Sequence, residues 1–283
     1  MLIATTLAEA RALLPVLPRP VGFVPTMGAL HAGHLELLHV ARKASASTIV
    51  SIFVNPLQFG ANEDFANYPR DVQGDRSKLE RAHVDALFLP NATEIYPDDF
   101  TTYVDAGAIG STFEGVVRPR HFRGVATVVT KLLHIVQPDI LFLGQKDAQQ
   151  ACVLRKMIVD LNMPLDVELV PTIREDDGLA MSSRNAYLSA EQRAAAPSLY
   201  RALLALREAL EHGASKAEAA EIARATLSES ATPDYFDVVD AATFEPIEQL
   251  VREAFVIGAA RFGRTRLIDN LHIVPGRVET SVA

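Results

Sequence analysis

The fold of this 283-residue chain is decided by the segment Val21-Gly22-Phe23-Val24-Pro25-Thr26-Met27-Gly28-Ala29-Leu30-His31-Ala32-Gly33-His34. It begins as an apolar strand, turns at Gly28 and leads into an amphipathic helix. Further apolar, β-rich runs follow, with helical patterns between them. Runs this uniformly apolar are typical of parallel strands that are covered on both faces. The alternation therefore predicts a Rossmann-like, doubly wound α/β sheet connected by right-handed crossovers.

The remaining elements of the first domain can be assigned from the same patterns. We predict a short strand and a helix within Met1–Pro15, strands at Val21–Val24, Thr48–Val54, Ala86–Leu89, Ile140–Leu143 and Val167–Val170, and helices at His34–Ser45, Asp71–Ala82 and Gly124–Val136.

The pattern changes after about residue 185, which predicts a second, smaller α+β domain. Its expected features are a helix start at Ser189, a leucine face at Leu199, Leu203, Leu206 and Leu210, a helix over Lys216–Ser228, and strands at Tyr235–Asp240, Phe255–Phe262 and Arg266–Ile273. We place the domains at 1–184 and 185–283 and expect the second to act as a lid over the site.

The strand-to-helix turn is also the first candidate for a binding site. Ligands of doubly wound sheets bind beyond the carboxyl ends of the strands, and a helix N-terminus offers unpaired N–H groups to an anion. His31 and His34 could donate hydrogen bonds to phosphate oxygens. Two alternatives stay open for this pair: a capping histidine with a core histidine, or a zinc pair. Zinc is disfavoured because no further Cys or His ligands follow at a recognisable spacing.

The composition limits the class of protein. The net charge of −8 argues against a nucleic-acid or membrane-surface partner, so an anionic substrate would need a local basic pocket. The single Cys152 excludes an intramolecular disulfide. No apolar run approaches the roughly 20 residues that span a bilayer, and the N-terminus lacks a basic signal region. We therefore expect a cytoplasmic protein.

Three later motifs follow the first in order, at Asn55-Pro56-Leu57-Gln58-Phe59, Gly144-Gln145-Lys146-Asp147-Ala148-Gln149-Gln150 and Met181-Ser182-Ser183-Arg184-Asn185. With the histidine turn and the C-terminal Thr265-Arg266-Leu267-Ile268-Asp269-Asn270, they make nearly the whole chain resemble the pantothenate synthetase family, in the His-x-Gly-His nucleotidyltransferase superfamily. The resemblance implies a ligase that condenses (R)-pantoate with β-alanine at the expense of ATP, through a pantoyl adenylate, releasing AMP and diphosphate. It also implies Mg²⁺ and a homodimer.

The resemblance assigns roles by position. Catalytic roles fall on His34, Lys146, Ser182 and Arg184. Nucleotide contacts fall on Met27, His31, His34, Gly144, Lys146, Asp147, Ile173, Met181, Ser182, Ser183 and Arg184. Pantoate contacts fall on Asn55, Gln58, Arg118 and Gln150, and Asp75 matches a residue that holds Mg²⁺ through the nucleotide.

The residue chemistry agrees with these roles, although each motif also has a structural explanation. A lysine is a point charge suited to phosphate, although a solvated salt bridge at a strand end is the alternative for Lys146. The segment Met181–Arg184 is similar to the mobile Lys-Met-Ser-Lys-Ser loop of class I aminoacyl-tRNA synthetases, with Gly178 as a hinge, yet it could be an ordinary turn. On sequence alone, Asp75 is a helix-surface carboxylate. Gln145 stands where the family commonly has Glu.

Two other functions stay open at this point. An adenylyltransferase would share the histidine turn, but it would not explain Gln58 and Gln150 together. A nucleotide-binding sensor would bind ATP without turnover.

Overall fold

The structure is a computed structural model that describes residues 1–60, 65, 66 and 68–275. The chain folds into two compact units. The N-terminal unit comprises Met1–Gln145 and Gln149–Pro171, and the C-terminal unit comprises Lys146–Ala148 and the chain from Thr172 onward. No helix in the described part of the chain is long and apolar enough to cross a membrane.

The N-terminal unit is built on a six-stranded parallel sheet, as the apolar runs predicted. Its strands are β1 (Leu2–Ala4), β2 (Val21–Thr26), β3 (Ser47–Ile52), β4 (Ala86–Phe88), β5 (Ile140–Gly144) and β6 (Asp166–Val170), in the spatial order β1-β4-β3-β2-β5-β6. The helices are α1 (Leu7–Leu13), α2 (Ala32–Ala44), α3 (Val72–Arg81), α4 (Ala92–Ile95), α5 (Glu114–Val117), α6 (His121–Val136) and α7 (Ala148–Asp160).

Both faces of this sheet are buried, and neighbouring strand residues alternate between them. Phe23 packs in a cluster with side chains of α6 such as Val129, whereas Val24 packs on the other face with Leu38 of α2 and Leu79 of α3. This alternation follows from the two-residue period of a strand. It explains why the strands contain apolar runs instead of an alternating pattern.

The strand order creates a switch point at β2. The chain runs outward from β2 to β3 and β4, and then returns to place β5 on the opposite side of β2. In doubly wound sheets, the crevice beyond the carboxyl ends at such a point is where ligands bind. The histidine turn follows β2 directly, and the Gly144–Gln150 motif begins at the last residue of β5.

Among its described residues, the C-terminal unit contains three α-helices and a three-stranded antiparallel sheet. The helices are α8 (Ala190–Ala195), α9 (Ser198–Glu211) and α10 (Lys216–Thr226), and the strands, in spatial order, are β7 (Ala231–Asp240), β8 (Ala254–Phe262) and β9 (Thr265–Ile273). The predicted leucine face of α9 is buried in the core of this unit. The predicted second α+β region is therefore present.

Several boundaries differ from the sequence-based predictions. The division between the units falls at Pro171/Thr172 instead of 184/185, because an antiparallel bridge between Arg174 and Ala180 and an ion pair from Arg174 to Asp269 tie this segment to β9. Helix α6 begins at His121 and not at Gly124. Helix α7 was not predicted, and β7 begins at Ala231, four residues before the predicted strand.

Candidate active site

The turn between β2 and α2 is held by hydrogen bonds within the N-terminal unit. The Thr26 hydroxyl donates to the Ser51 carbonyl (2.9 Å) and accepts from the Gly28 N–H (3.2 Å). The next two N–H groups, of Ala29 and Leu30, donate to the Asp75 carboxylate at 2.7 and 2.8 Å. These three N–H groups are therefore used within the protein, and only those at the start of α2 remain for the predicted anion site.

His31 and His34 lie at the start of α2, where their geometry fixes a tautomer. The rings are 4.1 Å apart between centroids. The His31 N–H donates to Nδ1 of His34 at 3.2 Å, and an accepting nitrogen carries no proton. In the neutral ring, Nε2 of His34 therefore carries the N–H. The N–H groups of Ala32 and Gly33 lie in the first helical turn, where the helix itself provides no acceptor.

Gln58, a predicted pantoate contact, and Met27, a predicted nucleotide contact, touch each other. The Gln58 side-chain amide donates to the Met27 sulfur (3.0 Å), and its oxygen accepts from Nδ2 of Asn55 (3.0 Å). Asn55 is buried, and it also donates to the Gly124 carbonyl (3.1 Å) and accepts from the Tyr96 hydroxyl (2.8 Å). Asn55 thus orients Gln58, which differs from the predicted contact with pantoate.

Tyr96 and His121 complete this arrangement, and neither was among the predicted site residues. Burial, with a smaller contribution from Tyr103, raises the pKa of Tyr96, so its hydroxyl remains a neutral donor. Nδ1 of His121 lies 2.9 Å from the backbone carbonyl oxygen of Gln58. A carbonyl only accepts hydrogen bonds, so Nδ1 carries the proton. Nε2 then accepts from the Arg118 guanidinium at 3.1 Å. Predicted residues Arg118 and Gln58 are therefore linked through one buried ring.

The motif after β5 divides between the two units. Lys146, in the C-terminal unit, is mostly buried, with Nζ 4.0 Å from the half-exposed carboxylate of Asp147. Its carbonyl accepts from the Asn270 side chain at 2.9 Å. Gln149, in the N-terminal unit, is buried and bonds to the backbone around residues 109–114, whereas the predicted Gln150 is half-buried.

The segment that carries the serine motif is anchored within the C-terminal unit. Arg174 forms a bidentate pair with the buried carboxylate of Asp269 (2.6 and 3.0 Å) and stacks on the Tyr200 ring. Gly178 has a φ of +91°, and a Cβ there would lie 2.4 Å from that same ring. Gly178 is therefore required for close packing, a role that the predicted hinge did not include.

Beyond this anchor, the predicted phosphate-binding residues are partly exposed. Lys146 and Ser182 line the same small cavity of the C-terminal unit. The Ser182 hydroxyl accepts from the Arg184 N–H at 3.3 Å, and Met181 and Ile173 are joined by a backbone hydrogen bond of 2.9 Å.

Arg193 of α8 binds Asp177 near the tip of the segment, and that hydrogen bond lowers the pKa of the Asp177 carboxyl.

Asp75 differs most from the prediction. The sequence indicated a surface carboxylate, but the side chain is buried and both oxygens accept backbone N–H groups. Among residues 1–60, 65, 66 and 68–275, no group of three or more His, Cys, Asp or Glu side chains is placed to hold a metal ion. Asp75 therefore does not fit the role of a Mg²⁺ ligand.

Comparison with known proteins places the chain in a family. The family model described as pantoate-beta-alanine ligase matches residues 2–272. This chain belongs to the pantoate–β-alanine ligase family. Pantothenate synthetase from Herpetosiphon aurantiacus is 50% identical over 275 residues, which span 96% of this chain and 99% of that protein. The protein is accordingly a carbon–nitrogen ligase of pantothenate biosynthesis.

Solved structures agree with this assignment. A crystal structure of pantothenate synthetase from Thermus thermophilus matches with a TM-score of 0.92 at 49% identity, and covers 97% of this chain and 100% of that one. Pantoate-beta-alanine ligase from Francisella tularensis, complexed with beta-gamma ATP and beta-alanine, matches with a TM-score of 0.78 at 34% identity, over 96% and 97% of the chains. The predicted fold class and family are confirmed.

The residues that sequence reasoning missed share a reason. Tyr96, Gln149 and Arg174 act through hydrogen bonds to partners that are distant in the sequence, and such partners leave no local pattern. His121 was partly signalled, because it lies in the basic cluster Arg118–Arg123 that stands out in an acidic chain.

Proposed function

We propose that this ligase works in two steps on ATP, pantoate and β-alanine. A carboxylate oxygen of pantoate attacks the α-phosphorus, the bond to the bridging oxygen breaks, and diphosphate leaves. The amine of β-alanine then attacks the acyl carbon of the pantoyl adenylate. The carbon–oxygen bond breaks, the amine loses a proton, and AMP leaves as pantothenate forms.

One observation carries the proposal for the first step. His34 holds Nδ1 against the His31 N–H, so Nε2 presents a hydrogen-bond donor at the N-terminus of α2, beside the switch point of the sheet. A neutral donor and a helix dipole placed where charge develops on the α-phosphate stabilise the transition state without having to reorganise. His31 and the N–H groups of Ala32 and Gly33 would bind the same phosphate.

The remaining phosphate and nucleoside contacts are proposed from the family pattern. Lys146, Ser182, Ser183 and Arg184 would follow the β- and γ-phosphates as diphosphate leaves. Support comes from the common cavity of Lys146 and Ser182, and from the anchoring of both segments on β9 through Asn270 and Asp269. Met27, Gly144, Asp147, Ile173 and Met181 would surround the nucleoside.

For pantoate, the proposed contacts are Gln58, Gln150 and Arg118. The Gln58 side chain is held by Asn55 and Met27, and the His121 ring holds its backbone carbonyl, so the residue is ordered before substrate arrives. Preorganisation of this kind lowers the entropy cost of binding. Mg²⁺ is proposed only as a counterion that arrives with the nucleotide's phosphates, because Asp75 does not fit a ligand role.

Three further features implied by the resemblance remain proposals. The C-terminal unit would act as a lid, the protein would be a homodimer, and it would be cytoplasmic. Equilibrium sedimentation would test the dimer, which should give twice the 30.8 kDa chain mass. ATP with pantoate should slow trypsin cleavage after Arg184, and cleavage at an unchanged rate would argue against closure.

An isotope experiment tests the adenylate directly. Pantoate labelled with ¹⁸O in its carboxylate is turned over with ATP and β-alanine, and AMP is analysed by mass spectrometry. Attack by the carboxylate transfers one labelled oxygen to the phosphate of AMP. AMP without label would rule out the pantoyl adenylate.

A further inference from the structure

Two side chains of α3 grip the turn that precedes the histidine pair. The Asp75 carboxylate accepts the N–H groups of Ala29 (2.7 Å) and Leu30 (2.8 Å). One helical turn further on, Lys78 donates from Nζ to the Leu30 carbonyl (2.7 Å) and lies 3.6 Å from Asp75. Donors and acceptors of the same short stretch of backbone are therefore held from one helix face.

The turn needs these hydrogen bonds because its backbone conformation is unfavourable. Gly28 has a φ of +84° and Ala29 a φ of +52°, so two consecutive residues are left-handed. Residues with a Cβ adopt this region rarely and persist there only when the surroundings determine it. A Cβ at Gly28 would also lie 3.0 Å from Oδ2 of Asp75, which shows how closely the carboxylate fits the turn.

The hydrogen bonds that Asp75 and Lys78 form with Leu30 also affect His31, the next residue in the chain. Its carbonyl accepts from the His34 N–H (2.9 Å) and its N–H binds the His34 ring. Any change in the path of residues 29 and 30 would therefore move both imidazoles. A displacement of about 1 Å from a productive geometry costs on the order of 10²-fold in rate.

We propose that Asp75 and Lys78 form a positioning clamp that holds the Gly28–Leu30 turn and thereby aims His31 and His34 at the nucleotide. This inference rests on the proposed nucleotide site at the turn. It assigns Asp75 to the protein's own backbone instead of to Mg²⁺, because the carboxylate is buried, both oxygens already accept backbone N–H groups, and the Lys78 ammonium 3.6 Å away would repel a second cation.

Kinetics of Asp75→Asn and Lys78→Met separate the two roles. In Asp75→Asn, an NH₂ group replaces one acceptor oxygen and faces a backbone N–H, so we expect kcat/KM for ATP to fall about 10- to 100-fold. The Mg²⁺ concentration for half-maximal rate should stay within about twofold of wild type. Lys78→Met should lower the same kinetic parameter, and the double variant should be less impaired than the product of the single effects.

The exposed pair Arg76–Glu80 on the same helix provides the control. Glu80→Gln removes a charge from α3 without touching the turn, and should leave all of these parameters unchanged. A metal role for Asp75 predicts the opposite pattern: Asp75→Asn raises the Mg²⁺ requirement at least about tenfold, added Mg²⁺ restores the rate, and Lys78→Met has no effect. That result would overturn the clamp.

Hydrogen exchange tests the clamp without relying on activity. The Ala29 and Leu30 amides should exchange faster in Asp75→Asn than in wild type or Glu80→Gln, and unchanged exchange would contradict the clamp. If the Ala29 and Leu30 amides exchange faster in Asp75→Asn but His34→Ala keeps full activity, Asp75 does hold the turn and the proposed nucleotide site is wrong. Because Asp75 is buried, circular dichroism and the thermal midpoint must first show that the variant is folded.

Discussion

The imidazole of His34 illustrates how one hydrogen bond sets the chemistry of a side chain. Its Nδ1 accepts from the His31 N–H, so the other nitrogen becomes a donor. His121 shows the same logic with the opposite tautomer, because Nδ1 faces the Gln58 carbonyl and Nε2 faces Arg118. In both cases the backbone, which cannot change its protonation, selects the tautomer.

Lys146→Ala should lower kcat by 10²–10³, about 3–4 kcal/mol, since it removes a charge that is proposed to bind the leaving phosphates. Steady-state kinetics at saturating ATP measure this loss. Lys156→Ala is the matched control, because Lys156 lies on the following helix in an exposed pair with Asp160 and should be silent. A Lys146→Ala variant with near wild-type kcat would show that the lysine has no such role.

His121→Ala should act mainly on pantoate. It removes the ring that holds the Gln58 carbonyl, and a lost hydrogen bond of this kind costs about 1–3 kcal/mol. We expect KM for pantoate to rise roughly tenfold and kcat to change less. The control is His134→Ala on the same helix, an exposed histidine that bonds to the Thr130 carbonyl one turn earlier. Equal effects of the two variants would contradict the positioning role of His121.

Among the secondary-structure elements, the segment from Ile173 to Met181 doubles back on itself, with Arg174 and Ala180 paired in an antiparallel bridge, and is not a free loop. Arg174 fixes its base to Asp269, and Arg193 binds both Glu175 and Asp177 near its tip. Any movement on substrate binding should therefore be confined to the residues after Ala180, which include Ser182 and Arg184.

Gly178→Ala should destabilise the C-terminal unit more than Gly213→Ala. Both glycines have a left-handed φ, +91° and +86°, so both variants carry the cost of that backbone conformation. Only at position 178 does the added Cβ collide with Tyr200, whereas nothing lies within 4 Å at position 213. The collision should cost an additional ~1–3 kcal/mol in urea unfolding. Equal losses would mean that Tyr200 moves away freely.

The ion pair of Arg193 and Asp177 should give the unit a pH-dependent stability. The hydrogen bond from Arg193 lowers the pKa of Asp177 below its unfolded value, so the stabilisation is present above about pH 4 and is lost as pH falls through the folded pKa. Arg193→Gln should thus lower the thermal midpoint at about pH 7, and the difference from wild type should shrink below about pH 4. Arg224→Gln, in an exposed helical pair, should show a smaller difference at neutral pH. If the difference in thermal midpoint between Arg193→Gln and wild type does not change with pH, the ion pair does not supply the pH-dependent stability.

At the scale of the whole molecule, the sequence predicted what depends on local pattern. Apolar runs such as Val21–Val24 located the parallel strands, and the leucine face from Leu199 to Leu210 located the core of the second unit. The burial of Asp75 was not predictable, because it depends on a turn 45 residues away in the sequence. The domain boundary was placed too late for the same reason, since Arg174 is tied to a strand 95 residues further along.

The negative net charge of the protein implies that anionic substrates are bound through short-range contacts. The chain carries a net charge of −8, yet its proposed substrates ATP and pantoate are anions. Recognition must then come from a few cations and N–H groups at short range, since the overall field repels the substrates. The cluster of Arg118, His121 and Gln58 is proposed to be one such local site.

Formation of a pantoyl adenylate before the amine reacts can be tested by following diphosphate and AMP separately. The enzyme is supplied with ATP, Mg²⁺ and pantoate, with and without β-alanine. We expect diphosphate release to require pantoate, and sustained AMP release to require β-alanine. Diphosphate turnover that is indifferent to the amine would contradict the two-step ligase, and so would the absence of diphosphate until β-alanine is added.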